Sequence, residues 1–157
     1  MLRDTLTRSM KDAMKAKDQI TLSTLRLVNA AIKQQDIDVR ASGNEDGIAD
    51  SEILSLLQKM IKQRQESIRM YEEGGRADAA AQEAAEIEVI ERFLPQMMSE
   101  AEVEAALDEV ISETGAGSIK DMGPVMAALK QKYAGQIDFG SVSPIVKQRL
   151  CALAKAA

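Results

Sequence analysis

Five basic side chains, Lys59, Lys62, Arg64, Arg69 and Arg76, stand in the stretch KMIKQRQESIRMYEEGGR of a chain whose formal net charge is −5. Guanidinium and ammonium groups at such spacing grip phosphates or carboxylates; they do not shuttle protons at neutral pH. At about 100° per residue, Lys59, Lys62, Glu66 and Arg69 share one arc of a helix. An apolar seam of Leu54, Leu57, Ile61, Ile68 and Tyr71 lies opposite. Two readings of the arc stand side by side: contact with a phosphate backbone, or a solvated face carrying Lys62–Glu66 as an i,i+4 pair. Arg64 is set apart, because it falls inside the apolar arc between Ile61 and Ile68, where a charge requires a partner. Glu83 on the core-facing side of the next helix, and Glu86 at its edge, come within reach if the two helices form an antiparallel hairpin across Gly74-Gly75. Arg64 with Glu83 and Glu86 is therefore expected to be a structural ion pair. Lys59, Lys62, Arg69 and Arg76 remain as binding candidates, with Lys130, Lys132, Lys147 and Arg149 as a second basic group further along.

Other chemistry is poorly served. The sequence has no histidine, the commonest general base and metal ligand. There is no cysteine pair or HExxH spacing for zinc, and GNEDG lacks the regularly placed carboxylates of a calcium loop. Gly74-Gly75 and Gly115-Ala116-Gly117 have no lysine or hydroxyl residue placed as in a phosphate loop. Ser9, Ser67 and Ser99 stand beside no plausible base. No catalytic residue, metal site or cofactor is expected. Cys151, the one cysteine, reads as a small apolar residue and fits a reducing cytosol. No apolar run approaches the roughly 20 residues of a membrane span. The expectation is a soluble cytoplasmic protein that does not bind membranes.

The elements that must carry these residues are helical. Nine Met, only four aromatic residues (two Tyr and two Phe) and few β-branched runs point to an all-α chain. Leu2, Leu6, Met10, Ala13 and Met14 mark a first helix ending near Lys17. Asp18 caps a second with Leu22, Leu25, Val28, Ile32 and Val39 on its seam. Ala41 to Asp50 reads as a mobile polar loop, and Asp50 as the cap of the helix that carries the basic arc. Asp78 is expected to cap a fourth helix, with Ala80, Ile87, Ile90, Phe93 and Leu94 inside, stopped by Pro95. Ser99 with Glu102 forms a capping box, and Met98 with Val103 a hydrophobic staple, for a fifth helix that runs to Gly115. Pro124 favours the first turn of a sixth. Ser143-Pro144 predicts the cap and first residue of a seventh, with Val146, Leu150 and Leu153 inside. A four-helix subdomain over 1–95 and a three-helix subdomain over 96–157 follow, hinged near Leu94-Pro95.

Three segments resemble the YqeY-like proteins: TLSTLRLVNAAIKQQDID, LLQKMIKQRQESIRMYEEGGRADAAAQEAAEIEVIERFLPQMMSEAEV, and IKDMGPVMAALKQKYAGQIDFGSVSPIVKQRL. The KQR-S-Y-GGR, FLP and DMG-VM-D elements are specific when found in this order. Pro124 stands where the family usually has a lysine, and Ile137 where it favours a small residue. The resemblance implies an all-α fold of four plus three helices. It also implies kinship with the tail of the B subunit of glutamine-dependent aspartyl/glutamyl-tRNA amidotransferase, which holds the tRNA body. On this footing the chain is expected to be a tRNA-binding accessory module. The alternative is an adaptor docking on amidotransferase subunits or a tRNA synthetase. Carbon–nitrogen ligase activity with glutamine as amido donor comes only by family association.

Overall fold

The structure, a computed structural model, describes residues 1–156. Among these residues there are seven α-helices, one 3₁₀ turn and no strand, so the all-α expectation holds. The chain divides into two compact units, Met1–Leu94 and Pro95–Ala157, each with its own buried apolar cluster.

The first unit holds α1 (Leu2–Ala16), α2 (Gln19–Arg40), α3 (Asp50–Glu73) and α4 (Ala77–Glu91). Between α1 and α2 the chain turns in two residues. Lys17 adopts a left-handed conformation, φ 56°, which lets the Asp18 N–H donate to the Ala13 carbonyl at 2.9 Å. Asp18 then caps α2 as its sequence predicts, accepting from the Thr21 N–H at 3.1 Å and the Thr21 hydroxyl at 2.7 Å. Those two bonds, hydroxyl first, hold its carboxyl below the usual range. Leu6, Leu25, Val28, Ile32, Ile53, Leu57 and Ile90 close the core.

The loop from α2 to α3 is tied at its far end, which corrects the expectation of mobility there. Ile48 is only 4% exposed. Its N–H donates to Asp36 Oδ1 at 2.8 Å, and its carbonyl accepts from Arg3 Nη2 at 2.9 Å. Arg3 also grips both Asp36 oxygens, at 2.9 and 2.7 Å, so α1, α2 and the loop meet in one network. Gly47 beside it has φ +83°, and a Cβ there would stand 2.4 Å from Asp36 Oδ1. Only glycine fits.

Two caps are displaced from the positions the sequence suggests. Helix α3 is capped by Ala49, whose N–H donates to Glu52 Oε2 at 2.7 Å, while Asp50 is the first helical residue and accepts from the Leu2 N–H. Alanine offers no side-chain acceptor, so only the Glu52 half of a capping box can form. Helix α4 is capped at Arg76 and starts at Ala77, because the Gly75 turn (φ 71°) lets the Arg76 N–H reach the Tyr71 carbonyl at 2.7 Å. Asp78 therefore lies within the first turn, where a carboxylate still favours the helix dipole.

The second unit holds α5 (Glu100–Thr114), a 3₁₀ turn at Ile119–Asp121, α6 (Met122–Lys132) and α7 (Phe139–Ala156). The Ser99–Glu102 capping box is formed: the Ser99 N–H donates to Glu102 Oε2 at 2.7 Å, and the Glu102 N–H to Ser99 Oγ at 3.3 Å. The seventh helix begins at Phe139, ahead of the Ser143-Pro144 start read from the sequence. Asp138 caps it, taking the Gly140 N–H on Oδ1 at 3.1 Å. Pro144 sits inside the helix, where its missing N–H deprives only the Gly140 carbonyl, and Gly140 is exposed to water. Leu153, expected inside, is 40% exposed. Ile137 is 1% exposed and packs in the core with Leu107, Val125, Leu129, Val146 and Leu150.

Candidate nucleic-acid interface

Helix α3 presents Lys59, Lys62 and Arg69 to solvent on the arc that helical spacing prescribes. From Lys59 to Arg69 the rise is about 15 Å. Lys62, Gln65, Glu66 and Arg69 line a shallow open depression on that face. Lys59 and Arg69 form no ion pair among the described residues. Glu66 is the single acid in the arc.

Arg76 does not join them. Its guanidinium stands 5.7 Å from the centre of the Tyr71 ring and 3.9 Å from Asp78. Tyr71 lies roughly 160° round the helix from Arg69. The tip of the α3–α4 hairpin thus carries a separate cation–π contact, exposed to water and worth on the order of 0.5–1 kcal/mol.

Arg64 is held as a half-buried cation, with 12% of its side chain exposed. Its Nε donates to Glu86 Oε2 at 2.9 Å and its Nη1 to the Met60 carbonyl at 3.2 Å. Glu83 takes no part. The hairpin explains the choice: Arg64 and Glu86 each stand 11 residues from Gly75 (75 − 64 and 86 − 75), so antiparallel register sets them face to face. Counting outward from the glycine turn would have selected Glu86 from sequence.

The second basic group is largely consumed inside its own unit. Lys132 Nζ donates to Glu109 at 3.0 Å and to Glu113 at 2.6 Å, and its pKa is pushed up to about 12, chiefly by the Glu113 bond and then by Glu109. Arg149 grips both Glu104 and Asp108. The Tyr133 hydroxyl also donates to Glu109, at 3.0 Å, which raises its own pKa. All four acids lie on α5, so the run of six acids and no base from Gln96 to Gly115 faces the bases of α6 and α7. Lys130 and Lys147 are exposed without such partners. The signal was present in the opposed charge blocks, but their apposition required the tertiary fold.

Among the described residues no cluster of three or more His, Cys, Asp or Glu is placed to hold a metal ion, and no helix is long and apolar enough to cross a membrane.

A sequence profile described as Yqey-like protein matches residues 3–150. Curated fungal relatives carry the name "Altered inheritance of mitochondria protein 41, mitochondrial". That of Lachancea thermotolerans is 34% identical over 110 residues, 69% of this chain and 57% of that protein. Meyerozyma guilliermondii has one 36% identical over 112 residues, 70% and 56% of the two chains. In Clavispora lusitaniae the match is 26% identical over 157 residues, 98% and 88%. The chain thus spans somewhat over half the length of the first and second of these. Their names overturn the cytoplasmic expectation. That expectation rested on a lone cysteine, and unpaired thiols are as compatible with the reducing interior of a mitochondrion as with the cytosol.

Proposed function

Because the chain belongs to the YqeY-like family, we propose that it is a non-catalytic accessory module that binds tRNA through the α3 arc of Lys59, Lys62 and Arg69. One observation carries this reading. Lys59, Lys62 and Arg69 are exposed to solvent along a rise of about 15 Å, and Lys59 and Arg69 form no ion pair among the described residues, while Lys132 and Arg149 are held by acids of their own unit. Helix-borne cations of this kind meet phosphates, and they lack neighbouring aromatic rings on which bases would stack. Recognition would follow the shape of the RNA more than its sequence. The absence of histidine from the sequence supports a binding role over a chemical one.

Titration with total tRNA at low and moderate salt tests the proposal. The triple reversal Lys59→Glu, Lys62→Glu and Arg69→Glu should keep the fold and flatten the salt slope by roughly one unit per lost phosphate contact. Reversal of Lys132 should matter far less. Equal binding by wild type and triple variant, or none by either, would defeat the tRNA reading and leave the adaptor reading in its place.

A further inference from the structure

Helix α2 is apolar on two sides. Its inward side carries Leu22, Leu25, Val28 and Ile32, all buried. On the opposite side Ile20, Leu27 and Ile37 are 49%, 50% and 59% exposed, and Ala30 is exposed with them. Ile20, Ser23, Leu27, Ala30, Gln34 and Ile37 are spaced by three and four residues in alternation, the a/d rhythm of a coiled-coil seam. The stripe runs about 26 Å along the helix. A folded chain gains nothing from leaving such a strip in water, and single scattered apolar residues would not keep heptad register.

The flanks say what kind of partner fits. In this register Arg26, Lys33 and Arg40 occupy every g position, forming a basic margin along the stripe. Arg26 and Lys33 form no ion pair among the described residues, and Arg40 acts on Asp36 only through space. On the other margin Thr24 is buried and Ala31 packs against the unit's own core, so only Asp38 is exposed there. Antiparallel pairing with a second copy would set Arg26, Lys33 and Arg40 against their own kind. Parallel pairing would match one charge pair, Lys33 with Asp38. Both leave most of the margin unsatisfied.

We propose that this face of α2 docks an amphipathic helix of another protein, about three heptads long, with acidic residues flanking its apolar stripe. Leu27 and Ile37 enter the partner's holes, Gln34 fixes the register, and Arg26, Lys33 and Arg40 select against basic helices. The surface is separate from the α3 arc and does not depend on tRNA binding.

Two synthetic three-heptad peptides with Leu at a and d provide the test, one with Glu and one with Lys at e and g. Neither pairs well with itself. Fluorescence anisotropy should show the Glu peptide binding the full chain and the Lys peptide binding at least about tenfold more weakly. Leu27→Gln with Ile37→Gln, both exposed and helix-compatible, should weaken the Glu peptide about tenfold or more without shifting the thermal melt. Arg26→Glu with Lys33→Glu should invert the preference. Equal binding of both peptides, or of neither, would sink the proposal. So would self-association in sedimentation that Leu27→Gln abolishes, which would identify a second copy as the occupant. RNA binding that needs Arg26 and Lys33 while neither peptide binds would likewise assign the margin to nucleic acid.

Discussion

At the scale of single residues, Arg64 is the clearest case of a charge placed by tertiary structure. Its position in an apolar arc predicts a partner, and the partner is Glu86 on the facing helix. Removing one member leaves the other half-buried and uncompensated. Arg64→Ala should therefore destabilise the first unit by about 3 kcal/mol in thermal or urea melts. Replacing both Arg64 with Met and Glu86 with Leu should recover most of that loss, and a double variant as unstable as the single would show that the pair does more than satisfy charge. Sequence reading succeeds here because the anomaly is local: a charge off its helical phase. It succeeds equally at Asp18 and Ser99, whose hydroxyl and amide partners lie within three residues. It fails at Ser143-Pro144, a sound local signal that Asp138 overrides by starting α7 earlier. Gly47 is also illegible beforehand, since the group that forbids a side chain there, Asp36, is brought in from α2.

Among elements, the charge exchange between α5 and its neighbours controls the second unit. Tyr133 donates to Glu109, and Lys132 to Glu109 and Glu113. Tyr133 and Lys132 have folded pKa values raised above the unfolded ones, so each bond's contribution is whole below about pH 10 and declines as pH rises, for Lys132 through about 12. Glu109 shifts the other way, and its contribution fades as pH falls through the carboxylate range. These groups are exposed, so the effects on stability are small. Spectroscopic titration of the phenolate in a Glu109→Ala variant should show Tyr133 ionising at lower pH than in wild type. An unmoved Tyr133 curve would mean that the bond is not maintained in solution. The loop between α2 and α3 gives the second test at this scale. Ile48 is anchored and Ala41 to Asp46 is exposed, so limited proteolysis should cut within those six residues, or near Leu94-Pro95, before it cuts within α3. Early cleavage between Leu54 and Tyr71 would contradict the helix organisation. Helix existence and core faces were readable from periodicity, whereas the anchoring of a polar loop by Arg3 and Asp36 spans 33 residues of sequence and was not.

For the molecule as a whole, the binding role proposed for the α3 arc requires no chemistry of its own. Purified chain given glutamine, ATP, magnesium and mischarged tRNA should release neither ammonia nor phosphate above background. Turnover that co-purifies with the chain and disappears with a point substitution would reverse this. Summed formal charge opposes RNA binding, at −3 for residues 1–94 (14 bases, 17 acids) and −2 for 95–157 (6 bases, 8 acids). The arrangement matters more than the sum. Because Lys132 and Arg149 pair with acids of α5, those two cations are compensated locally and project little field of their own. Lys59 and Arg69 of α3 form no ion pair among the described residues, and their field reaches out to about a Debye length. If the α3 arc binds RNA as proposed, Lys59 and Arg69 would also steer the approach of the polyanion, so the association rate, and not the final complex alone, would fall as salt rises.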